Sequence, residues 1–578
     1  MEITVRPSIQ KSIPILLILT FVSAAMAAET ADPVFRAMDD ELARSMNRLV
    51  IEGMPSPYFL GYRVRDYQTI TVSSRYGAMV ESRPSHDRYL YIDLRVGDRT
   101  LDNSNYFSSW GSIWNSRDGV VEENSYQGLR HQLWYYTDAA YKNALETLAR
   151  KKAYLQAHPV KEEVPDFSIE APFALIAKPV ALSVDQKQWE TKLADAGKAF
   201  ATHTSLEDWK MEYRAQAVNQ WYVNSEGSRH LKGEIYQFLE ISATTQADDG
   251  QRLTGFLRYV TRDGEEPPAT PKLVADIQQM AGQLQEAAAA PALEEYVGPV
   301  LFTDWASAQF FSQLLADQLA LSKKPLVAND RMSDMLPMGK LAGKIKRRVL
   351  PQFVSVTDEP RREDWNGIML AGYQLADDEG VESQNITLVE DGRLQTLPVG
   401  RQPTDKIPKS NGHAHSTPYQ MTVPGITNLI VTTSEPMKTD RMIEELKGLC
   451  KDQEIEYGLL VKRLEEPSLE TQYRWVEQAD GSKTLLTAPL TVYKVYAKDG
   501  RMEPIRGLEF DEVSVRTLRD IVALGKDQTA YNIMQPTIFQ DAYYPASIVT
   551  PSILVEEMEL KATTVHEPKP VAQNPYFH

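Results

Sequence analysis

The spacing of hydrophobic residues changes along the chain, and it predicts both helices and strands. Near the N-terminus, apolar side chains recur three or four positions apart, which is the period of a helix with one buried face. These residues are Phe35, Met38, Leu42 and Met46. Further on, apolar residues alternate with polar ones, which is typical of a half-buried strand. The alternating apolar residues are Leu90, Ile92, Leu94 and Val96.

The helical period returns in residues 137–156, where Tyr141, Leu145 and Leu148 share one face. Thr137 precedes this face and is a residue type that caps helix N-termini, so we expect the helix to begin there. Helices and strands thus follow one another in the first half of the chain. We predict a mixed α/β domain over residues 28–295.

A change in composition near residue 290 predicts a domain boundary. Residues 278–296 are rich in alanine and contain Pro291, which predicts a helix that runs into a linker. We place the boundary near Tyr296. Beyond it the pattern is mostly that of strands.

Asp-Gly pairs recur along the chain, and this dipeptide suits the two positive-φ positions of a type I′ hairpin turn. Such pairs begin at Asp391, Asp480 and Asp499, after earlier ones at Asp118, Asp249 and Asp263. We therefore expect an α+β fold. Its C-terminal domain, residues 296–562, should be rich in antiparallel β-hairpins, and residues 563–578 should form a polar, solvated tail.

Length and charge narrow the functional classes. A chain of 578 residues is too long for one ordinary core and predicts two domains or three. Its formal net charge of -17 argues against a nucleic-acid-binding protein, which usually presents a basic face. The same charge disfavours docking on an anionic membrane. We expect a soluble, acidic protein.

The first 27 residues resemble a secretory signal peptide. Arg6 and Lys11 precede a short apolar run, and small residues at Ala25–Ala27 provide a cleavage site. No later stretch approaches the roughly 20 apolar residues that a spanning helix needs. We expect an exported protein, periplasmic or secreted, whose mature chain begins near Ala28. An uncleaved anchor is the alternative.

The chain has one cysteine, Cys450, so an internal disulfide cannot form. Its position fits the apolar face of a helix, and a buried structural thiol is the favoured interpretation over a nucleophile.

Motifs of familiar hydrolases and nucleotide-binding proteins are missing from the sequence. There is no Gly-x-Ser-x-Gly elbow and no phosphate-binding loop that ends in Gly-Lys-Ser/Thr. The one His-Glu pair, His566-Glu567, is followed by Pro568 and cannot begin a zinc-binding helix.

Two small clusters of ligand-type side chains remain as candidates. His413 and His415 would share one face of a strand and could hold a metal with a distant third ligand. Alternatively, they are two histidines on a polar loop flanked by Gly and Pro, which we favour. Asp377, Asp378 and Glu379 could bind a cation, but acids just before a strand commonly bond backbone N–H groups. We favour this structural role for the acids.

These acids begin a stretch, residues 377–397, that resembles the signature of the TldD/PmbA family. In that signature an acidic-Glu-Gly element leads to a glutamine, a strand and an acidic-Gly turn. Further segments agree with the family in order along the chain: residues 222–228, 298–315, 343–360, 409–415 and 545–560. The resemblance covers nearly the whole mature chain.

The resemblance implies a fold, an activity and a set of site residues. The family is associated with metallopeptidase activity on small or unfolded peptides, in pairs of unlike subunits. By resemblance, the residues that could line a peptide groove are Asp377, Asp378, Glu379, Gly380, Gln384, Ser410, Asn411 and His413.

TldD-type subunits carry a zinc helix of the form His-Glu-x-x-x-His, and PmbA-type subunits lack it. The corresponding stretch here, residues 300–319, contains no histidine and no glutamate. Its Trp305, Ala308 and Phe311 instead belong to the apolar face of a predicted helix. The chain is PmbA-like in this respect, and we expect no catalytic residue, metal or cofactor in it.

Three functional hypotheses follow. The leading one is an exported, zinc-less subunit that binds peptides or assists a zinc-bearing TldD-type partner in proteolysis. The second is a peptidase in its own right, using His413 and His415 with an acid from elsewhere. The third is a non-catalytic periplasmic binding or scaffold protein. Whether the chain is an enzyme is left open by the sequence.

Export is directly testable. If residues 1–27 are a cleaved signal peptide, mass spectrometry of periplasmic material should show a mature N-terminus near Ala28. Replacing Lys11 and Arg6 by Glu should cause the precursor to accumulate. A full-length cytoplasmic species as the sole product would contradict export.

Overall fold

A computed structural model describes residues 32–107, 116–117, 119–158, 164–320, 323–328, 339–417, 421–466, 484–537, 543–564 and 566–572. The predicted signal segment, the Asp480-Gly481 pair, Asp118 and the end of the polar tail lie outside these residues.

The first half of the chain is built on one long antiparallel sheet with helices on one face. Its strands are β1 (Pro57–Arg75), β2 (Ala78–Val96), β4 (Ser116–Arg117), β5 (Ala174–Ile176), β6 (Asp208–Asn224), β7 (Arg229–Gln246) and β8 (Arg252–Arg262). The strand order is β4-β2-β1-β6-β7-β5, with β8 also paired to β7 and β5 parallel to β7. A separate short strand, β3 (Tyr106–Phe107), pairs in parallel with β10 (Leu326–Val327).

Four helices cover the apolar face of this sheet. They are α1 (Pro33–Arg48), α2 (Tyr126–Ala157), α3 (Gln186–Gly197) and α4 (Thr270–Ala289). Residues from α1 and α2 share one buried apolar cluster with one end of β1, and residues from α3 and α4 share another with the far end. The helical periodicity around Phe35 and Met38 is confirmed, since both side chains are buried against the sheet.

The predicted start of the second helix at Thr137 is wrong. The helix begins eleven residues earlier at Tyr126, and Ser125 caps it by accepting a hydrogen bond from the Gly128 N–H. Thr137 is fully buried in the middle of α2, where its hydroxyl bonds the Leu133 carbonyl and lies 2.7 Å from the Tyr62 hydroxyl. A threonine that bonds the preceding turn of its own helix looks the same in sequence as a cap.

The second half of the chain contains two larger sheets. One has eight strands: β9 (Glu295–Phe302), β19 (Pro436–Met437), β20 (Tyr457–Leu464), β21 (Pro489–Tyr496), β22 (Met502–Ile505), β23 (Leu508–Phe510), β24 (Ile521–Gly525) and β27 (Ile553–Ala562). The other has six strands: β11 (Val354–Asp358), β14 (Ile386–Glu390), β15 (Arg393–Leu394), β18 (Asn428–Thr433), β25 (Thr529–Pro536) and β26 (Tyr543–Thr550).

The described residues of this half also form two short hairpins, three α-helical segments and two 3-10 turns at Ala342–Lys344 and Thr517–Arg519. The hairpins pair β12 (Asp364–Trp365) with β13 (Ile368–Met369), and β16 (Ala414–His415) with β17 (Val423–Pro424). The helices are α5 (Asp304–Phe311), α6 (Asp317–Leu319) and α7 (Thr439–Asp452), and a π turn over Ser312–Ala316 joins α5 to α6. Apolar residues of α5, the π turn and both sheets form the largest buried cluster.

The predicted fold class is confirmed, since the chain is mixed α/β and rich in strands. Antiparallel hairpins are frequent in the second half, but β9–β20, β18–β26 and β19–β24 are parallel pairs. Cys450 is buried on the inner face of α7, as predicted. Residues 566–572 are exposed, and Glu567 bonds the turn at Gly250. None of the described helices has the length and apolar character needed to cross a membrane.

The Asp391-Gly392 hairpin has the predicted turn geometry. Asp391 has φ 46° and Gly392 has φ 75°, and the pair joins β14 to β15. At Asp499-Gly500, which joins β21 to β22, only Gly500 has a positive φ among the two. That turn is longer, because the Gly500 N–H bonds the Tyr496 carbonyl and the Tyr496 N–H bonds Arg501. The type I′ prediction is wrong there.

We expect Gly392→Val to lower the free energy of unfolding by about 1–3 kcal/mol, because a β-branched residue is strained at positive φ. A Cβ at position 392 would also lie 2.2 Å from the Leu350 carbonyl oxygen. Gly264→Val is the matched control: Gly264 also follows an aspartate and has φ 97°, but nothing lies within 4 Å of its Cβ position. Urea unfolding should rank the Gly392 variant as the less stable. Equal midpoints would show that the contact at Leu350 is readily relieved.

Candidate functional site

The two halves of the chain meet over the polar face of the long sheet. Along β1, Leu60, Tyr62 and Val64 lie in the apolar cluster beneath α1 and α2. The intervening Arg63 and Arg65 project to the opposite face, because successive strand residues alternate. Arg63 is 4 % exposed, so this face is covered although it is charged.

Strand register arranges the polar side chains of this face in two rows. Arg63 pairs with Tyr91 and Tyr222, and Tyr222 pairs with His230. In the next row Arg65 pairs with Tyr89 and Gln220, and Gln220 pairs with Lys232. Four adjacent strands thus build a platform that carries three cationic side chains. We call these residues the basic platform.

Asp378 lies directly on the basic platform. Its Oδ2 accepts hydrogen bonds from Arg65 at 2.6 Å and from the Ser416 N–H at 2.8 Å. Its Oδ1 accepts from Gln220 at 3.1 Å and from Lys232 at 3.2 Å. Burial by itself would raise the pKa of Asp378, but the charges of Arg65, Lys232 and Arg63 outweigh it and hold the pKa well below its usual range. Asp378 is therefore a buried, ionised structural anchor.

Asp377 closes the turn that presents Asp378. Its Oδ1 accepts from the N–H groups of Glu379 at 3.0 Å and Val381 at 2.9 Å, and its Oδ2 accepts from Ala414 at 3.2 Å. Burial raises the pKa of this carboxyl group, and the nearby Glu379 charge adds to the shift. Asp377 thus holds the turn against β16. Asp377 is bonded by backbone N–H groups, whereas most donors to Asp378 are side chains.

Glu379 and Gly380 complete the turn. The Glu379 carboxylate accepts from the Arg401 N–H, and its carbonyl accepts from the Tyr222 hydroxyl at 2.9 Å. Gly380 has φ 77°, and a Cβ there would lie 2.3 Å from the Tyr222 ring, so only glycine fits. Glu379 also lines a cavity of about 20 Å³ with Arg401, room for about one water molecule.

Ser410 and Asn411, which lie close to the acidic turn, connect loops through hydrogen bonds. Asn411 donates to the Leu397 carbonyl at 2.8 Å and accepts from the Val399 N–H at 2.9 Å. The Ser410 N–H donates to Glu170, which belongs to the first half of the chain, at 2.8 Å. Gln384 is exposed, and its backbone N–H donates to the Asn411 carbonyl.

His413 and His415 lie buried beside the acidic turn. The His413 Nδ1 lies 3.0 Å from the Asn411 carbonyl oxygen, and its Nε2 lies 3.8 Å from Asp358. The His415 ring stacks on Tyr544 with 4.3 Å between centroids. Burial lowers the pKa of both imidazoles, that of His415 to about 3, so both are neutral at physiological pH. The sequence favoured two histidines on a polar loop flanked by Gly and Pro, and the structure shows that both side chains are buried.

No third metal ligand joins the two histidines among the described residues. Asp358, the carboxylate nearest to His413, already accepts from the Thr427 and Asn428 N–H groups at 2.8 Å. Within the described ranges, no three His, Cys, Asp or Glu side chains come together as metal ligands. The absence of a metal in this chain stays a prediction.

The stretch where the family's zinc helix would lie folds as α5, the π turn and α6. Its polar side chains are engaged in hydrogen bonds across the core. Gln309 bonds the Leu464 backbone, Gln313 bonds Thr487, and Asp317 accepts from the Gln535 amide. Gln535 also accepts from Ser312 at 3.0 Å, so Ser312 and Asp317, five positions apart, meet one partner across the π turn.

Asp317 was not a candidate from the sequence. Burial raises its pKa to about 7, although the Gln535 hydrogen bond opposes the shift. The basic platform was missed as well. A signal for it existed in "LGYRVRDY", where arginines alternate with apolar residues in a predicted strand and must find buried counter-charges.

We expect Asp378→Asn to lower the free energy of unfolding by about 3–5 kcal/mol at pH 7, because it leaves Arg65 and Lys232 buried without their counter-charge. The pKa of Asp378 is lower in the folded chain, so its stabilisation is present above the unfolded value and is lost as pH falls below about 4. The difference from wild type should therefore shrink in acid. Asp138→Asn, in an exposed pair with Lys142, is the control and should change little. Equal urea midpoints for both variants at pH 7 would contradict this role of Asp378.

Comparison with known proteins agrees with this architecture. Residues 296–562 match the family described as PmbA/TldA metallopeptidase C-terminal domain. A search of curated protein sequences found no match.

Solved structures of low sequence identity share the fold over most of the chain. A proposed modulator of DNA gyrase from Thermotoga maritima aligns with TM-score 0.57 and 14% identity, over 91% of this chain and 99% of its own. TldE from Thermococcus kodakarensis aligns with TM-score 0.55 and 14% identity, over 91% and 100%. A second proposed gyrase modulator, from Bacteroides thetaiotaomicron, aligns with TM-score 0.54 and 12% identity, over 92% and 99%.

At such identities the structural likeness establishes the fold alone. The family match is independent of it and covers the half of the chain that carries the acidic turn, the histidines and the π turn. Together with the ordered motifs of the sequence, these findings lead to one assignment. The chain belongs to the TldD/PmbA family, which is related to metallopeptidases.

Proposed function

We propose that this protein is an exported, non-catalytic subunit that binds small or unfolded peptides and works with a zinc-bearing TldD-type partner. One observation carries the proposal. The segment from Asp304 to Leu319, where the family's zinc helix would lie, offers neither an imidazole nor a glutamate. A zinc peptidase needs such ligands to hold the ion and a carboxylate to activate the attacking water.

The polar side chains of this segment support a structural role. Gln309 and Gln313 each bond a neighbouring strand or loop through both the oxygen and the nitrogen of the amide. Asp317 is the one acid deep in the segment, and it is held by Gln535. These residues stabilise the core, and of the two acids in the segment the exposed one is Asp304, at the start of α5. Zinc would therefore come from the partner subunit.

Peptide binding is supported by the edge strands of the sheets. Among the described strands, β8 pairs with β7 alone, and β22 lies at the edge of the eight-stranded sheet. An extended peptide can add to such an edge through main-chain hydrogen bonds. Because those bonds do not depend on side chains, this mode suits a subunit that accepts many unfolded sequences.

The competing peptidase hypothesis relies on His413 and His415. Both imidazoles have an Nε2 atom without a hydrogen-bond partner in the part of the chain that the structure describes. Both are also buried, and burial keeps them neutral, so neither contacts a peptide at the surface. A scaffold protein without peptide binding is the third possibility that the assay below separates.

The export part of the proposal is supported by the sequence of residues 1–27. An exported TldD-type partner would then have to share the same compartment. Heteromeric assembly can be tested by co-purification from the periplasm, which requires no assumption about the symmetry of the complex.

Activity should appear only in the mixture of this chain with a zinc-bearing homologue. We expect the purified chain to bind short unstructured peptides without cleaving them and to contain less than stoichiometric zinc. Adding the homologue should produce cleavage that a chelator abolishes, because the partner supplies the Lewis acid. Peptide products would be measured by mass spectrometry.

The His413→Ala/His415→Ala double variant is the control. In the mixture it should retain cleavage, provided that circular dichroism shows a native fold. Cleavage by the isolated chain that survives chelation and is lost in the double variant would overturn the proposal in favour of the second hypothesis. A chain that neither binds peptides nor affects the partner would favour the scaffold.

A further inference from the structure

A cleft between the two halves of the chain has no role in the fold described so far. Its volume is about 330 Å³, within the range of small-ligand sites. β8 and α4 form one wall, and the start of α5 with β20, β21 and β22 forms the other. The cleft is separate from the acidic turn, since none of Asp377, Asp378 and Glu379 lines it.

Apolar and aromatic side chains make up part of the cleft wall, and the larger part of its surface is polar. Leu284 on α4 and Phe256 on β8 contribute from the first half of the chain, and Trp305 and Ile505 contribute from the second. Trp305 is only partly buried and packs edge-on against Tyr531, with 5.4 Å between centroids. Such a lining favours an apolar side chain of a ligand.

Arg463 supplies a fixed positive charge inside the cleft. Its guanidinium donates to the Phe256 carbonyl and lies 4.6 Å from the Phe256 ring centroid and 5.8 Å from that of Trp305. A guanidinium has five N–H donors, so the one hydrogen bond that Arg463 makes to the described residues leaves donors for a ligand. Burial lowers the pKa of Arg463 to about 10, and the group remains charged at neutral pH.

The other charged groups of the cleft are mostly paired. Asp276 accepts from Lys272 and from the Tyr259 hydroxyl. Arg258 lies 2.8 Å from Glu240 and 3.5 Å from Glu466, which contact it from outside the cleft lining. The charges that remain are two cations and one anion.

The remaining charged groups of the cleft are Arg463, Lys462 and Asp304. Lys462 lies 5.7 Å from the Tyr493 ring centroid, and Asp304 is exposed at the start of α5. Of the charged residues that line the cleft, four are cations and two are anions, so the lining itself has an excess of positive charge in a protein whose net charge is -17. That excess is complementary to a carboxylate.

The backbone of β8 also faces the second half of the chain. The Phe256 carbonyl accepts from Arg463, and the Val260 carbonyl accepts from Asn532 at 2.9 Å. Alternate residues of an antiparallel strand direct their N–H and C=O groups to the same side. Thr254 therefore has the same orientation, and it lines the cleft. Its backbone groups can pair with an extended chain.

We propose that this cleft binds the C-terminal end of a short peptide. The terminal carboxylate bonds Arg463 beside Lys462, the last side chain packs against Trp305 and Leu284, and the preceding residue extends along the edge of β8 at Thr254. The assignment rests on the proposed peptide-binding function and locates it at a site distant from the acidic turn. A free N-acyl amino acid presents the same chemistry without the extended backbone.

Isothermal titration calorimetry of the purified chain tests the assignment with three probes: Ala-Ala-Ala-Leu as the free acid, the same peptide as its C-terminal amide, and N-acetyl-leucine. The free acid should bind at least about tenfold more tightly than the amide, because a hydrogen bond to a charged group contributes about 1.5–3 kcal/mol. N-acetyl-leucine should bind more weakly than the free-acid peptide, because it lacks the extended backbone. Equal affinity for N-acetyl-leucine would identify a small carboxylic acid as the ligand and overturn the peptide part.

Two variants assign the binding to the cleft. Arg463→Gln should remove the preference for the free acid, whereas Arg516→Gln, at an exposed arginine outside the cleft, should keep it. Gln283→Trp, on the half-buried outer side of α4, should block the cleft and abolish binding while the thermal unfolding midpoint stays unchanged. The Gln283→Trp variant provides the test if the Arg463→Gln variant does not fold.

The outcomes separate the cleft from the broader proposal. Equal binding of acid and amide, unaffected by Gln283→Trp, would overturn the cleft assignment and leave peptide binding elsewhere on the subunit. Binding of none of the three probes would overturn both the cleft assignment and the peptide-binding role.

Discussion

The buried contact of Asp378 with Arg65 and Lys232 is the interaction on which the arrangement of the two halves depends. It joins the acidic turn to a platform made by four strands of the first sheet. Removing three cations from water is costly, and the anion offsets that cost only where the geometry satisfies the remaining donors. Gln220, Ser416 and the Asp378 carbonyl complete those bonds. Only a loop that places a carboxylate among these donors can therefore cover the basic platform.

The same constraint explains why the acidic turn resembles a catalytic centre without offering free carboxylates. Asp377 is occupied by backbone N–H groups, Asp378 by cations and Glu379 by the Arg401 N–H. Gly380 brings the turn against Tyr222, where any side chain would collide. Shifted pKa values often mark functional sites, but ion networks that hold two parts of a chain together shift them as well. The turn is better understood as a structural contact that holds the two halves of the chain together.

If the turn has this structural role, function has to be sought where polar side chains have hydrogen-bonding capacity that the fold does not use. In the stretch where the zinc helix would lie, the side chains of Gln309, Gln313 and Asp317 are bonded within the core. In the cleft, the guanidinium of Arg463 donates to the Phe256 carbonyl and lies 4.6 Å and 5.8 Å from the ring centroids of Phe256 and Trp305. The contrast between these two regions is the physical basis of the proposals that the chain binds peptides and that zinc comes from a partner.

The sequence by itself determined the local features that depend on short-range geometry. The hairpin at Asp391-Gly392, the helix around Phe35 and the burial of Cys450 follow from φ preferences and periodicity, and the structure agrees. The start of α2 could not be predicted from the sequence, because the Thr137 hydroxyl bonds the preceding turn inside its own helix. The role of the acids was decided only by tertiary structure, because Arg65 and Asp378 are 313 residues apart in sequence. Local patterns fix turns and faces, whereas burial and charge partners arise when distant strands meet.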